Sequence, residues 1–189
     1  LLVAFAVGKY LGQDELSLLT ILSSVKAPQG RFEYFLSDHK ITAVIDYAHT
    51  PDALENVLKT LIDLKKGTEK VITVFGCGGN RDKGKRPLMG EIASRLSDQV
   101  LITSDNPRNE DPDSIINEIY HGVPSILKEK VFKVTDRMEA IEMACNMASA
   151  GDVILIAGKG HENYQIIGNE SLHFDDMENT IHIFKKLKK

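Results

Sequence analysis

Cysteine is scarce in this chain of 189 residues, and long apolar runs are missing. The two cysteines, Cys77 and Cys145, lie far apart and form no CxxC pair, so neither a zinc site nor a disulfide framework is indicated. No apolar run approaches the roughly 18 residues of a membrane span, and the short apolar N-terminus lacks the basic lead of a signal peptide. These absences predict a cytoplasmic protein that does not insert into a membrane.

A surplus of basic residues is missing as well. The 27 acidic side chains outnumber the 23 basic ones, which gives a net charge of −4 and argues against a nucleic-acid partner. Hydrophobic residues make up 42% and charged residues 26%, a balance typical of globular proteins. The length suffices for one ordinary domain with a sizeable core and part of another.

The first residues resemble the tail of a preceding domain. Apolar side chains recur at helical spacing up to about residue 26 and predict a pair of helices that is too small to fold alone. Lys26–Gly30 has the composition of a linker. We therefore predict two parts, a helical remnant at 1–27 and a single domain at 28–189.

From residue 31 onward, predicted strands alternate with predicted helices. The strands are expected at Arg31–Leu36, Ile41–Ile45, Val71–Phe75, Val100–Thr103, Val131–Val134 and Val153–Ala157. The first two should form a hairpin, and Tyr164–Ile167 is expected to pair with the last. Strands separated by helices of about 10–15 residues are typical of right-handed βαβ units. The predicted fold is α/β, an open and mainly parallel sheet of about six strands with helices on both faces.

Four loops that follow these strands carry polar and charged residues. We number them in chain order: the first loop is Asp46–Pro51, the second Gly76–Pro87, the third Thr103–Arg108 and the fourth Gly158–Glu162. Open α/β sheets bind ligands at the carboxyl edge, where all four loops should meet. One ligand could therefore touch several loops.

The third loop carries both signs of charge. Asp105 can accept from an ammonium group, and Arg108 can bind a carboxylate in a bidentate way. Pro107 fixes its own φ and stiffens the loop between them. This combination suits a zwitterion such as an amino acid; the alternative is a capping turn with a solvated arginine.

The first and fourth loops each have two interpretations. Asp46 suits a ribose hydroxyl or a metal-bound water, and His49 suits a phosphate; alternatively, Thr50 only caps a helix and His49 lies on the surface. In the fourth loop, Gly158 permits close approach of a ligand and Glu162 can hold an ammonium group. The alternative is a glycine-rich turn with incidental charges.

The second loop imitates a phosphate-binding P-loop, because Gly79–Lys85 reads G-x-x-x-x-G-K. Arg86, however, stands where a serine or threonine would hold magnesium, so we reject that assignment. An anion site beside the next helix N-terminus remains open, as does a solvated charged loop. The basic candidates are Arg81, Lys83, Lys85 and Arg86.

Taken together and in this order, the four loops resemble those of the Mur ligases of the MurE type. The matching motifs are Asp46–Leu54, Gly76–Met89, Asp105–Arg108 and Gly158–Glu162. The resemblance runs from about Arg31 to the end of the chain and implies a Rossmann-like C-terminal domain that brings the incoming amino acid. Residues 1–27 then resemble the end of the central ATP-binding domain.

The resemblance implies an ATP-dependent ligase of peptidoglycan precursor synthesis. Such an enzyme joins meso-diaminopimelate to UDP-MurNAc-L-Ala-D-Glu, using ATP and Mg²⁺ that are held mainly by the central domain. No P-loop and no UDP-binding region are readable in this chain. The chain alone is therefore expected to be inactive, and we assign it neither a catalytic residue nor a metal ligand.

The resemblance also assigns roles residue by residue. The residues expected to bind diaminopimelate are Arg81, Asp105, Asn106, Pro107, Arg108, Gly158 and Glu162. Those expected to contact the nucleotide are Arg31, Asp46 and His49. In this family, an arginine at the position of Arg108 is typical of the enzymes that add diaminopimelate. The distal head of diaminopimelate carries a carboxylate that lysine lacks. The alternatives are a ligase domain of the folylpolyglutamate or cyanophycin synthetase type and a non-catalytic amino-acid-binding module.

Overall fold

The structure is a computed structural model that describes residues 1–25, 28–65 and 67–189. Its helices are α1 (Leu2–Tyr10), α2 (Glu15–Ser24), α3 (Pro51–Leu64), α4 (Lys85–Leu96), α5 (Pro112–His121), α6 (Arg137–Met147) and α7 (Asp176–Leu187). Its strands are β1 (Glu33–Leu36), β2 (Thr42–Asp46), β3 (Val71–Phe75), β4 (Gln99–Ile102), β5 (Val131–Lys133), β6 (Val153–Ala157), β7 (Tyr164–Ile167) and β8 (Glu170–His173). A 3₁₀ helix at Ser125–Lys130, which the sequence did not predict, precedes β5.

The main sheet has six strands in the order β1-β2-β6-β3-β4-β5. β1 runs antiparallel to β2, and the remaining pairs are parallel. The register places Asp46 and Phe75 on either side of Ala157, with Ile102 beside Phe75. Four strands therefore end level with one another, and the loops that follow them begin at a single edge. The predicted fold class is confirmed.

Apolar packing on both faces holds the sheet between two layers of helices. In β3, Val71 and Phe75 belong to the core cluster shared with α3, α4 and α5. Ile72 and Val74 belong to the cluster on the other face, with α6 and α7. Because both faces of a parallel sheet are covered, β3 and its neighbour β6 are almost entirely apolar rather than alternating.

One strand pairing was predicted wrongly. β7 pairs with β8 in a separate antiparallel hairpin and not with β6. The physical reason is that β6 already has β2 on one side and β3 on the other, so neither of its edges is free. The hairpin instead approaches the third loop, where Arg108 forms an isolated bridge with Ile167.

The pair of N-terminal helices forms as predicted. Asp14 caps α2 by accepting from the Ser17 amide at 2.9 Å. Apolar side chains of the pair remain exposed, among them Leu2 (85%) and Tyr10 (90%). Of the predicted linker Lys26–Gly30, residues 26 and 27 lie outside the described residues, and the assignment of 1–27 to a preceding domain stays a prediction. Within the described part of the chain, no helix is both long and apolar enough to cross a membrane.

Candidate functional site

A cavity of about 360 Å³ opens at the carboxyl edge of the sheet, and all four loops contribute to its wall. Six of the seven residues predicted to bind an amino acid line it: Arg81, Asp105, Asn106, Arg108, Gly158 and Glu162. His49, predicted to contact a nucleotide, lines it too. Pro107, Arg31 and Asp46 do not line it. Loops that are far apart in sequence thus form one concave site.

The second and third loops touch through their main chains. The Gly79 amide donates to the Asn106 carbonyl at 2.8 Å. An added Cβ at Gly79 would lie 1.9 Å from the Pro107 carbonyl oxygen, so only glycine fits. Pro107 is buried at this junction and supports the wall from behind.

Arg108 is held in an unusual backbone conformation, with a φ of 53°. Its amide donates to the Ile166 carbonyl at 3.1 Å, and its carbonyl accepts from the Gly168 amide at 2.7 Å. Its Nη1 donates to the carbonyls of Gly79 (3.0 Å) and Asn106 (3.3 Å). Within residues 1–25, 28–65 and 67–189, Arg108 has no acidic partner, so its remaining donors are available to a carboxylate.

Two arginines of the second loop have opposite environments. Arg81 is exposed at the cavity and forms no ion pair or hydrogen bond with any residue that the structure describes. Arg86 has no exposed side-chain surface and pairs with Glu110 at 3.0 Å and Glu118 at 2.7 Å. Lys83 also lies 3.2 Å from Glu110. The predicted anion site therefore does not extend to Lys83 and Arg86, because acidic side chains already neutralise them.

Those ion pairs join the second loop to the segment that follows the third. Hydrogen bonds from Arg86 and from the Asn80 amide lower the pKa of Glu110 to about 2. Lys85, the remaining candidate, lines the cavity and donates to the His49 carbonyl at 2.6 Å. Arg81 and Lys85 are thus the basic groups of this loop that face the cavity.

Asp105 is a buried carboxylate, only 7% exposed, at the base of the cavity. Its side chain accepts no hydrogen bond from the described residues, and Oδ1 has no exposed surface. Lys159 Nζ lies 3.4 Å from Oδ1, a distance suited to an ion pair but without hydrogen-bond geometry. Oδ2 faces Gly158, where an added Cβ would lie 3.2 Å away. Because Oδ1 is enclosed, a ligand that donates a hydrogen bond could reach this carboxylate only at Oδ2.

The acid of the fourth loop, Glu162, is held in place by a neighbour in the third loop. Its Oε2 accepts from Asn106 Nδ2 at 2.9 Å. Asn106 is itself buried, at 4% exposed, and lines the cavity. Asp105, Asn106 and Glu162 therefore form one acidic wall, and Arg81 and Arg108 lie on the same cavity.

The carboxylate of Asp46 is engaged with the main chain. Its two oxygens accept from the amides of Phe32 at 2.7 Å and Ala48 at 2.8 Å. These bonds fix the first loop and hold the segment before β1 against it. The predicted contact between Asp46 and a nucleotide stays a prediction, and in this structure Asp46 orients its neighbours.

The side chains around Asp46 form a small aromatic group. The Arg31 guanidinium lies 4.4 Å from the centroid of the Tyr47 ring, and the His49 ring lies 4.5 Å from the same ring. His49 Nδ1 is hydrogen-bonded to the Tyr47 carbonyl at 2.8 Å. Thr50 caps α3, as the alternative interpretation expected, while His49 nevertheless faces the cavity.

Sequence reasoning missed Arg137, which is completely buried behind the cavity. Its side chain forms a bidentate pair with Asp176, with distances of 2.8 and 2.7 Å. It also donates to the carbonyls of Ser104 (3.4 Å) and Ala157 (3.1 Å), the residues just before Asp105 and Gly158. Arg137 therefore ties together the two strand ends from which the acidic wall begins.

The β7–β8 hairpin was also missed as a part of the site. Gln165 Nε2 donates to the Asp105 carbonyl at 2.8 Å, and the Ile166 amide donates to Asn106 Oδ1 at 2.9 Å. With the backbone contacts to Arg108, these bonds fix the third loop along its length. In the described part of the chain, no group of three or more His, Cys, Asp or Glu side chains could hold a metal ion.

A sequence profile and curated proteins of similar sequence indicate the same family. The sequence profile described as "Mur ligase, glutamate ligase domain" matches residues 30–160. The UDP-N-acetylmuramoyl-L-alanyl-D-glutamate--2,6-diaminopimelate ligase of Cytophaga hutchinsonii is 54% identical over 93% of this chain, which covers 36% of that protein. The ligase of the same name from Bacteroides fragilis is 52% identical over 97% of this chain and is covered to 38%. The chain thus spans a little over a third of these curated relatives.

Solved structures agree with this. A structure of a UDP-N-acetylmuramoyl-L-alanyl-D-glutamate--2,6-diaminopimelate ligase superposes with a TM-score of 0.79 at 39% identity, covering 98% of this chain and 37% of that one. A bifunctional folylpolyglutamate synthase/dihydrofolate synthase from Yersinia pestis has a TM-score of 0.58 at 17% identity, over 94% of this chain and 35% of that one. The second likeness shows the fold alone.

Proposed function

The chain belongs to the Mur ligase family, and we propose that it is the amino-acid-binding domain of a ligase that adds meso-diaminopimelate to UDP-MurNAc-L-Ala-D-Glu at the expense of ATP. The observation that carries the proposal is the cavity at the carboxyl edge, which is lined by both carboxylates and arginines. Each head of diaminopimelate is a zwitterion. Acidic and basic side chains on one cavity match the two charges of such a head.

Charge in and behind the acidic wall supports the same ligand. Three carboxylates, those of Asp105, Glu162 and Asp176, face two buried cations, Arg137 and Lys159. This leaves one negative charge in excess within a largely buried cluster. A ligand ammonium group would balance it, whereas an anionic group would add to it.

The basic residues would receive the carboxylate of the distal head. Arg108 offers free donors beside the acidic wall, and Arg81 has no partner among the described residues. With the distal head fixed at both charges, the other amine is oriented for attack. Holding two reactants in the correct geometry is itself a large part of catalysis. ATP supplies the activation of the acceptor carboxyl group.

The nucleotide would meet this domain at the first loop. Arg31 and His49, gathered around Tyr47, are the side chains available there, and Asp46 would act by holding that loop. The described residues contain no acidic cluster suited to a cation, so we assign no residue of this chain to Mg²⁺. Both ATP and Mg²⁺ would be bound mainly by another part of the protein.

A folylpolyglutamate-type ligase is less favoured, because that likeness is limited to the fold at 17% identity. A non-catalytic amino-acid-binding module is the other alternative. It would lack any P-loop in the complete protein, whereas a ligase requires one.

The test uses the full-length protein that contains this chain. Phosphate release is measured with ATP, UDP-MurNAc-L-Ala-D-Glu and, in parallel, meso-diaminopimelate, L-lysine, L-glutamate or no amino acid. We expect release that depends on diaminopimelate. Preference for lysine or glutamate would contradict the substrate assignment, and no amino-acid-dependent release would favour the binding module. The 189-residue chain alone should release no phosphate.

A further inference from the structure

Lys159 is a lysine without exposed surface, on the fourth loop directly behind the cavity. Lysines are almost never buried to this extent unless they are paired. Its ammonium donates to the Tyr164 carbonyl at 2.6 Å and to Asn106 Oδ1 at 3.1 Å, and lies 3.4 Å from Asp105 Oδ1. These partners are two residues of the cavity wall and the first residue of the hairpin that clamps it.

The hydrogen bond from Lys159 to Asn106 fixes the orientation of the Asn106 side-chain amide. Asn106 Oδ1 accepts from both Lys159 Nζ and the Ile166 amide, at 3.1 and 2.9 Å. A flipped amide would place its NH₂ group against two donors. The amide nitrogen is therefore directed at Glu162, and this fixes the carboxylate of Glu162 in the wall.

The contact to Asp105 is an ion pair between two buried side chains. No described residue donates a hydrogen bond to the Asp105 side chain, and Lys159 is the cation paired with it. Burial lowers the pKa of Lys159 itself, against the opposing effects of Asp105, Asp176 and Glu162.

We propose that Lys159 is a positioning residue for the substrate's distal ammonium group: it holds the Asp105 carboxylate in an ion pair and keeps Asn106 oriented, so that Asp105 and Glu162 together can receive that group. Lys159 itself has no surface with which to touch a ligand. It has no contact with Arg81 or Arg108, so binding of the distal carboxylate should not depend on it. The inference rests on the proposed function, since it concerns one end of diaminopimelate.

The experiment compares three ligands on the full-length enzyme and its Lys159→Met variant. Diaminopimelate carries both distal charges, L-lysine keeps the distal ammonium without the carboxylate, and 2-aminopimelate keeps both carboxylates without the distal ammonium. We expect the KM for diaminopimelate to rise roughly 10-fold or more, the effect of losing a hydrogen bond with a charged group. Binding of lysine, measured by inhibition, should weaken in the same way. The inhibition constant of 2-aminopimelate and the KM for ATP should stay close to wild type.

The ratio of the diaminopimelate and 2-aminopimelate constants is the decisive quantity, because it does not depend on the folded fraction of a variant. Lys159→Arg retains the positive charge and should restore part of the ratio. Lys130→Met is the matched control: Lys130 also donates to a carbonyl, that of Ser97 at 2.6 Å, but at the opposite edge of the sheet. Its ratio should equal that of the wild type.

Failure of the inference and failure of the proposed function give different results. If wild type shows no release that depends on diaminopimelate, the proposed function is wrong. If wild type is active but the ratio is unchanged in Lys159→Met, only the role of Lys159 is wrong. Should Lys159→Met not fold, Lys159→Gln and Lys159→Arg provide the ratio, and unfolding of all three would make the lysine purely structural and overturn the proposal.

Discussion

The cations around the cavity fall into two groups that the sequence does not distinguish. Arg81, Lys85 and Arg108 form the cavity group, and within the described ranges none of them has an acidic partner. Arg86, Arg137 and Lys159 form the buried group, and each has an ion pair and no exposed side-chain surface. A buried charge needs a partner within the protein, whereas a charge at a cavity is solvated until a ligand binds. The buried group therefore builds the site, and the cavity group is the one that we propose binds the ligand.

Removing Arg137 should have the largest effect on stability if this distinction holds. Arg137→Met leaves Asp176 buried and unpaired, with an expected loss of about 3–5 kcal/mol in the free energy of unfolding. Unfolding in urea, followed by circular dichroism, measures it. The double variant Arg137→Met/Asp176→Leu should recover much of the loss, because both charges are then absent.

The matched control for this experiment is Arg95→Met, which removes an exposed pair with Glu91 and should cost no more than about 0.5 kcal/mol. If Arg137→Met lowered the free energy of unfolding by no more than Arg95→Met does, burial and pairing would not identify the cations that stabilise the fold. The distinction between the two groups would then be wrong.

Removing Arg108 should affect binding more than stability. In the full-length enzyme, Arg108→Ala removes one of the two arginines proposed to receive the distal carboxylate, at a cost of roughly 2–5 kcal/mol. At the lower end of that range, kcat/KM for diaminopimelate falls about 30-fold. Use of lysine, which has no distal carboxylate, should change much less. An equal loss for both amino acids, together with a lower melting temperature, would move Arg108 into the buried group.

The position of the four loops at one edge of the sheet could be predicted from the sequence, because it depends on the local pattern of apolar residues. Apolar runs located the strands before Asp46, Gly76 and Gly158, and alternation with helices required those strands to be parallel. Parallel strands end at a common edge, and the structure confirms that the loops share one cavity. The candidate residues followed from that edge and from the order of the motifs.

The supporting contacts could not be predicted, because they join residues that are distant in sequence. Arg137 meets Asp176 across 39 positions, and Lys159 meets Asn106 across 53. Hydrophobic periodicity identifies buried apolar side chains, but a buried arginine or lysine interrupts the pattern and reads as surface. The pairing of the β7 strand was wrong for a related reason: strand order across a sheet is not visible in the strand itself.

A smaller effect is expected in acid, where the pairing of Arg86 should weaken. The pKa of Glu110 is held at about 2, mainly by the Arg86 hydrogen bond, against an ordinary value of 4.5. A lowered pKa contributes stability that is complete above pH 4.5 and is lost as the pH falls from there toward 2. Urea unfolding at several pH values should show this loss in wild type and less of it in Glu110→Gln. Glu91→Gln, which removes only an exposed pair, should follow the wild type.

The smallest expected effect concerns thiol reactivity. It tests whether the residues directly behind the cavity wall are closed to solvent. Cys77 is next to Gly78, a residue of the cavity wall, yet it is only 2% exposed. Burial raises its pKa to about 12, and it does the same for Cys145, a buried residue of α6. At pH 8 such a thiol is ionised to roughly one part in 10⁴, and the thiolate is the reactive form.

Neither cysteine should therefore react with a disulfide reagent such as dithionitrobenzoate in the native protein, whereas both should react in denaturant. The variant Cys145→Ala isolates the signal of Cys77, and Cys77→Ala isolates that of Cys145, which lies on the far face of the sheet and serves as the internal reference. If Cys77 and Cys145 react equally slowly in the native protein, the second loop stays closed. Gly78 then lines the cavity while Cys77, the residue before it, stays inaccessible. If Cys77 instead reacts much faster than Cys145, the second loop opens in solution. Arg86, only nine residues further along that loop, would then reach solvent as well, and the division between buried and binding cations would hold only in the closed state.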